Sequence, residues 1–525
     1  MNALATVVSS LHEGVRAPVR WLWRKVEHGF DAAFGSTANP LRQLGSVAVV
    51  CFALLVFSGV ILYAVLDTSV QGAHASIAGL ADVPWHLGTL LRGLHRYAAD
   101  AFVIVIVLHL VREWAFGHER GARRYPWLTG LPLVAMVMVC AVGGFWLNWD
   151  RLGQFSAQAT AEWLDVLPLL ATPLSRNFLS DAAVNDRLFS LLVFIHLGVP
   201  LLLVFGLWFH IQRLTRPMIF PARRLSVGLT LSLLALALVV PVLSHEPASM
   251  ASVPQSLRLD WILLFLHPIT DATSATAVWL SVGALAALGF ALPYLPQRAS
   301  LPVAQVDPDN CNGCRRCFVD CPFAAISMVS HPNQRVGREL AVVDADLCTG
   351  CGICAGACPS SSPFRGAATL VSGIDMPGLR VGELRQRVQR ELAACAAPQP
   401  LVVFGCAQGA RATDLGPDVC RIELLCAGQL PPSFVEYALR DGAAGVLVSG
   451  CREGGCEYRF GQTWTEERLR GLREPYLRAS VEPNRVATAW VDEGDDHALR
   501  GSLARLRANL PDGVDSVSTS VSPHG

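Results

Sequence analysis

The sequence predicts a multidomain chain: an all-α membrane helix bundle of six spans, then a small α+β domain, then an α/β domain. Three observations predict it. Long apolar runs lie at 44–66, 97–111, 130–147, 188–209, 225–242 and 276–293, and each reads as a membrane span. Eight cysteines crowd residues 311–358, too many for an ordinary core. Beyond residue 400, short buried-looking strands alternate with helical stretches, the pattern of an α/β layer.

Hydrophobic residues make up 52% of the chain and charged ones 16%, a membrane-like balance. The formal net charge is zero, so nothing favours nucleic acid as a partner. Orientation follows from the loops. Segments 1–43, 112–128 and 213–224 carry thirteen Lys and Arg, against four in 67–94, 150–186 and 244–260, which predicts that the first set and both termini are cytoplasmic. Residues 1–39 lack a continuous apolar core and a small-residue cleavage site, and read as an interfacial amphipathic helix rather than a signal peptide. Of sixteen cysteines, only Cys51 and Cys140 precede residue 310. In a cytoplasmic half the other fourteen are expected to ligate metal rather than form disulfides.

The transmembrane domain is expected over 40–295, with a Pro-punctuated exit, YLPQRASLPVAQVDP, at 294–308. A cysteine-rich domain follows at 302–372, and a linker helix within 373–399 carries VGELRQRVQRELAACAA. In the α/β domain, 400–495, LVVFG at 401–405 and GVLVSG at 445–450 are the strands, with helices near 431–440 and 463–473. Residues 496–525 are expected to form a terminal helix and a disordered tail, DSVSTSVSPHG.

Just before and near the end of the second apolar run, His95 and His109 are 14 residues apart. On a helix that is just under four turns and roughly 21 Å, which puts both on nearly one face at two membrane depths. HLGVPLLLVFGLWFH places His196 and His210 at the same interval. Two such helices side by side bring one histidine from each to each depth, and such a pair can ligate the iron of a planar macrocycle from both sides. A macrocycle between helices needs room, and Gly45 with Gly59, and Gly130 with Gly144, repeat the interval on two further helices. His74, His86 and His267 share no such pattern and read as hydrogen-bonded structural residues.

Residues 40–245 resemble cytochrome b of quinol-oxidising respiratory and photosynthetic complexes, through LHRYAAD at 94–100, HLVR at 109–112, WLTG at 127–130 and GGFWLNWDRLGQFSAQ at 143–158. The resemblance implies two b haems, one on His95 and His196 nearer the outer face and one on His109 and His210 nearer the cytoplasm. It also makes Arg96 and Arg112 candidate haem-propionate partners, each equally readable as an interfacial anchor, and suggests a bacterial inner membrane and a homodimer. LRLDWILL at 257–264 stands where that family has a Pro-Glu-Trp quinol motif, with Leu259 and Asp260 in place of Pro and Glu. Asp260 is the candidate catalytic acceptor of a quinone site.

CNGCRRCFVDCP at 311–322 and CTGCGICAGACP at 348–359 each fit C-x2-C-x2-C-x3-C-P, the run that wraps a cubane cluster, and the fourth cysteine of each run serves the other cluster. One [4Fe-4S] is therefore expected on Cys311, Cys314, Cys317 and Cys358, the other on Cys348, Cys351, Cys354 and Cys321. The segment resembles bacterial two-cluster ferredoxins. Farther on, VFGC at 403–406, ELLCAG at 423–428 and VSGCREGGCEY at 448–458 put cysteines after strand-like segments, where they converge readily. Residues 400–495 resemble the delta subunit of methyl-viologen-reducing hydrogenase, through LLCAG, GAAGVLVSGC and GGCEYRFG. That resemblance implies a [2Fe-2S] cluster on Cys406, Cys426, Cys451 and Cys456, with Cys420 as an alternative to Cys406, and Cys395 as a packed helix residue. It further implies a cytoplasmic flavoprotein docking on this domain. No G-x-G-x-x-G opens a helix in the soluble half, so the flavin and nicotinamide are expected on the partner, and membrane quinone at the other end of the wire.

Overall fold

The computed structural model describes residues 3–168, 171–178, 183–214, 216–251, 256–295, 302–334, 337–359, 370–412 and 414–510, in two compact units. Part of the exit segment 294–308, part of the cysteine-rich domain and the whole tail expected to be disordered lie outside the described residues. In the membrane unit a long amphipathic helix, α1 (Ala3–Phe34), precedes α2 (Leu44–Val65), α3 (Leu87–Ala115), α4 (Arg124–Leu147), α5 (Arg151–Asp165), α6 (Asp186–Ile211), α7 (Arg223–Val239) and α8 (Ala275–Ala291). Side chains set several boundaries. Asp150 caps α5 by accepting from Gly153 N at 2.9 Å, Asn185 caps α6 from Leu188 N at 3.1 Å, and Ser274 caps α8 from Ala277 N at 3.2 Å. Charge ties helix α1 to α3 and to the turn before α2: Glu27 accepts from Arg112 Nε at 2.9 Å, and Asp31 pairs with Arg42 at 2.9 Å.

Among the described residues, five helices are long and apolar enough to cross a membrane, where the sequence predicts six spans. The run at 225–242 is helical only over the 17 residues of α7, about 25 Å and short of a bilayer's roughly 30 Å hydrocarbon core. Pro241 is the reason. It pushes the preceding Val240 out of the helical region, to φ −125°, ψ 83°. Helix α2 packs on α3 and α4 on α6, around a core of Val103, Val137, Leu203 and Leu263. Val60, Phe194 and Leu201 on the outer faces are 65–73% exposed, as lipid-facing residues must be when only protein is counted.

The soluble unit opens with two antiparallel pairs. β1 (Gln305–Val306) pairs with β4 (Ile374–Asp375), and β2 (Ile326–Ser330) with β3 (Glu339–Val343). Two short helices, α9 (Arg316–Val319) and α10 (Ile353–Ala357), lie between them in sequence. After α11 (Val381–Ala394) comes a four-stranded parallel sheet in the order β6 (Val419–Leu424), β5 (Leu401–Cys406), β7 (Gly445–Gly450), β8 (Val486–Trp490), with connecting helices α12 (Ser433–Arg440) and α13 (Gly461–Leu469). Every residue of β5 and β7 is buried, as expected where both faces of a parallel sheet are covered. Val388, Phe404, Ile422, Phe434 and Val448 fill one face. The other face is filled by Val403, Leu447 and α14 (Asp496–Asn509), which contributes Leu499, Leu503 and Leu506.

Candidate metal centres

In the membrane unit the histidines meet in two pairs. The rings of His95 on α3 and His196 on α6 have centroids 6.4 Å apart. Two imidazoles ligating one metal from opposite sides stand about 6 Å apart between ring centres when each metal–nitrogen bond is about 2 Å, so the spacing fits. His210 lies within electrostatic reach of His109 at the other depth. Each predicted glycine sits beside one imidazole. A Cβ built on Gly59 would be 3.0 Å from His95 Cε1, on Gly144 3.1 Å from His196, on Gly130 3.1 Å from His210, and on Gly45 3.5 Å from His109. The glycines thus seat the rings, which complements the room the sequence assigns them at a macrocycle's faces.

The hydrogen bonds decide which ring nitrogen is available. His196 Nδ1 lies 2.9 Å from the Cys140 carbonyl, which can only accept, so Nδ1 carries the proton. The Ser58 hydroxyl gives its hydrogen to Leu54 O at 2.7 Å and accepts from His95 Nδ1 at 2.9 Å. Thr129 does the same between Tyr125 O, at 2.9 Å, and His210 Nδ1, at 3.3 Å. His109 Nδ1 faces the Glu113 carboxylate at 3.8 Å. In the three hydrogen-bonded rings the Nε2 lone pair is left for a metal, the arrangement typical of ligating histidines. Sequence reasoning missed Ser58 and Thr129. The available signal was a hydroxyl residue directly before a glycine in both Ser58-Gly59 and Thr129-Gly130.

The basic and acidic candidates are engaged with each other. Arg96 pairs with Asp100 at 2.5 Å and with Asp260, and lies over the Phe145 ring. Asp260 Oδ1 also accepts from Ile262 N at 2.9 Å and Leu263 N at 2.7 Å, so its lone pairs serve a turn and an ion pair. Arg112 reaches Glu27 at 2.9 Å and Glu113 at 3.4 Å. His267 is bonded to Ser156 at 3.1 Å and His74 donates to His245 O at 2.9 Å, both structural uses, while His86 is exposed.

In the soluble unit Cys311, Cys314, Cys317 and Cys358 line one pocket, so the fourth cysteine of the second run joins the first three of the first. The complementary set also gathers: Cys321 and Cys348 are the cysteine neighbours of Cys351, and Cys354 has Cys351, Cys348 and Cys321 beside it together with Cys317. Burial first, and neighbouring cysteines after it, push the thiols of Cys317 and Cys351 up to about 12. Sulfurs so placed are poor thiolates alone, and a multiply charged cation among them supplies what they lack.

In the α/β domain Cys406 ends β5, Cys426 lies two residues past β6 and Cys451 follows β7, all at the carboxyl edge of parallel strands, where side chains converge. Cys406 and Cys456 each lie within side-chain interaction range of both Cys426 and Cys451, so the four sulfurs gather in one place. Cys406 therefore belongs to the constellation. Cys420 instead bonds Glu391 O at 3.3 Å and Cys395, while Cys395 caps α11 and bonds Pro417 O. Sequence reasoning missed Gly461, where a Cβ would lie 2.2 Å from Cys426 Sγ.

Paired histidines inside a membrane bundle, followed by three cysteine constellations, define a membrane electron-transfer protein. Three family models match in the same order: Cytochrome b/b6/petB over 31–218, the 4Fe-4S dicluster domain over 310–362, and the methyl-viologen-reducing hydrogenase delta subunit over 405–511. The chain is thus a membrane protein in which cytochrome b, dicluster ferredoxin and hydrogenase delta subunit regions are fused, and the first two imply b haem and iron-sulfur clusters. Among solved structures, a chain titled "Hyperthermophilic respiratory Complex III" is similar at 19% identity and a TM-score of 0.39, covering 48% of this chain and 74% of that one.

Proposed function

We propose that the chain is the membrane subunit of a bacterial inner-membrane oxidoreductase that passes electrons between a cytoplasmic flavoprotein and the quinone pool. The single observation behind it is the pairing of His95 with His196 at one depth and His109 with His210 at the other, with Nδ1 already bonded in three of the four rings. In this reading each pair holds one b haem. The two crossed cysteine sets hold [4Fe-4S] clusters, and Cys406, Cys426, Cys451 and Cys456 hold one [2Fe-2S]. When bound, these groups supply one-electron chemistry. The chain's residues orient them and exclude water. The flavoprotein docks on the α/β domain, and its donor is NAD(P)H, a thiol-disulfide couple or hydrogen. The arginine content of the loops supports cytoplasmic termini, and the cytochrome b match supports a dimer.

The test is mass spectrometry of what co-isolates with the chain from gently solubilised, oxygen-free membranes. A flavoprotein with a nicotinamide-binding motif, or a heterodisulfide-reductase-like subunit, is the expected companion. A Rieske-type protein or an outer-face cytochrome c in its place would send the electrons out on the other side and end this reading.

One observation favours a second reading, in which the chain anchors and relays electrons but has no quinone site. Asp260 is committed to Arg96 and to two backbone amides, leaving little capacity to take a quinol's proton. On that reading a quinone analogue leaves the haem spectrum of the isolated chain unchanged. A shifted spectrum restores a quinone site to this chain.

A further inference from the structure

Among the described residues, the two kinds of cysteine site in the soluble unit touch each other where Cys351 and Ile353 meet Cys426. Helix α10, between Cys351 and Cys358, is pressed against residues 427–429, which follow Cys426 and pack in turn on α13. The approach is too close for side chains. A Cβ on Gly356 would stand 2.1 Å from Gly428 O, and one on Gly352 2.9 Å from Gln429 Cγ. One on Gly461 would meet both Cys426 Sγ, at 2.2 Å, and Ile353 Cδ1, at 3.5 Å. Gly356 lies inside a helix, where glycine costs about 1 kcal/mol relative to alanine, so close contact is the use that repays it. Cys351, Ile353, Cys426 and Trp464 form one buried cluster. A buried ion pair fixes the same junction: Arg468 Nη2 donates to Asp320, beside Cys321, at 2.6 Å, and its Nη1 donates to Gly428 O at 3.0 Å.

Among the described residues, the pocket of the other dicluster site is lined by no residue of the α/β domain. Its walls are residues between 310 and 317 with Met328, Cys358, Gly373 and Ile374, and Cys314 among them is exposed.

We infer that the contact of Cys351 and Ile353 with Cys426 and Gly461 is the electron junction of the soluble unit. The site of Cys406, Cys426, Cys451 and Cys456 exchanges electrons directly with that of Cys321, Cys348, Cys351 and Cys354, and the site of Cys311 is one step farther along. The transfer is a single electron: one site is oxidised as the other is reduced, with no bond made or broken and no proton moved. In the direction from the soluble partner, the electron originates in a reduced flavin. The assignment rests on the cofactor reading above.

The full chain, purified without oxygen in detergent and reduced with dithionite, tests it through the electron-spin relaxation of its [2Fe-2S] signal. A paramagnetic neighbour speeds that relaxation. Cys348→Ala, which disables the adjoining site, is expected to slow it, and Cys314→Ala to leave it as in the parent. Relaxation that responds to Cys314→Ala alone, or to neither change, overturns the junction. Because losing a ligand can unsettle a domain, Gly356→Leu serves as a second variant that keeps every cysteine. With its iron retained, slowed relaxation supports the junction and parent-like relaxation refutes it. A parent chain with no [2Fe-2S] signal and clearly fewer than about twelve irons refutes the cofactor reading itself. That result is distinct from a signal that is present and indifferent to Cys348→Ala.

Discussion

In a His196→Ala chain, the reduced haem absorbance per protein falls to about half, and what remains is a single b-type species. The expectation comes from the separation of the two histidine levels. His196 faces His95, with 6.4 Å between ring centres, while His109 and His210 lie roughly 21 Å of helix rise away and keep their own glycines, Gly45 and Gly130. Without His196 no imidazole faces His95 to hold an iron from the second side, and the Cys140 carbonyl, which oriented the lost ring, does not replace it. His267→Ala is the matched control. That ring is bonded to Ser156 and stands edge-on to Phe155 at 5.8 Å, so both haems should survive its removal. Pyridine haemochrome analysis of the two variants beside the parent reads the result. Full haem in His196→Ala, or loss of both haems, would show that the levels are not independent sites.

The second large effect is on stability. Asp320 receives two guanidinium groups, Arg468 at 2.6 Å and Arg473 at 2.7 Å, and the Arg468 side chain is fully buried. Removing one partner of a buried pair costs about 3–5 kcal/mol, because a charge is left without compensation. Asp320→Ala strands a buried cation. Arg468→Ala leaves Asp320 still paired with Arg473, so the aspartate change should be the more harmful of the two. For a unit of this size, the temperature at which cluster absorbance bleaches should fall by roughly 6–20 °C in Asp320→Ala, with a smaller drop in Arg468→Ala. Bleaching of Asp320→Ala within a degree or two of the parent, or a larger drop in Arg468→Ala, would mean the pair contributes little to holding the unit together.

The features legible in the sequence were those that repeat at a fixed interval. The 14-residue spacing of histidines and glycines and the x2-x2-x3 cysteine runs are local in sequence, and the structure places their members together. The span at 225–242 was harder, because hydrophobicity counts Val240 and Pro241 as apolar while the proline ends the helix. Asp260 was visible as a carboxylate in the right place. Its pairing with Arg96 was not, since that contact joins residues more than 160 positions apart. For the third constellation, a short run of cysteines could not rank Cys406 against Cys420. Both belong to neighbouring strands, and only the sheet register separates a residue at one strand's carboxyl end from one near the other's start, bonded to α11. Nothing in the sequence marks the glycines at 352, 356 and 461, because what crowds them, the Gln429 side chain, the Gly428 carbonyl and the Cys426 sulfur, is remote in sequence.

The bonds made by the ring nitrogens that point away from a metal have a kinetic consequence. Ser58, Thr129 and the Cys140 carbonyl hold three imidazoles in place through the fold itself. An iron held between such rings would not have to drag its ligands to new positions on changing charge, because the scaffold has fixed them in advance. The nuclear rearrangement accompanying each electron's arrival and departure would therefore be kept small. A helix bundle built this way behaves as a stiff rack, on which traffic can run in either direction with little energy spent on moving the protein.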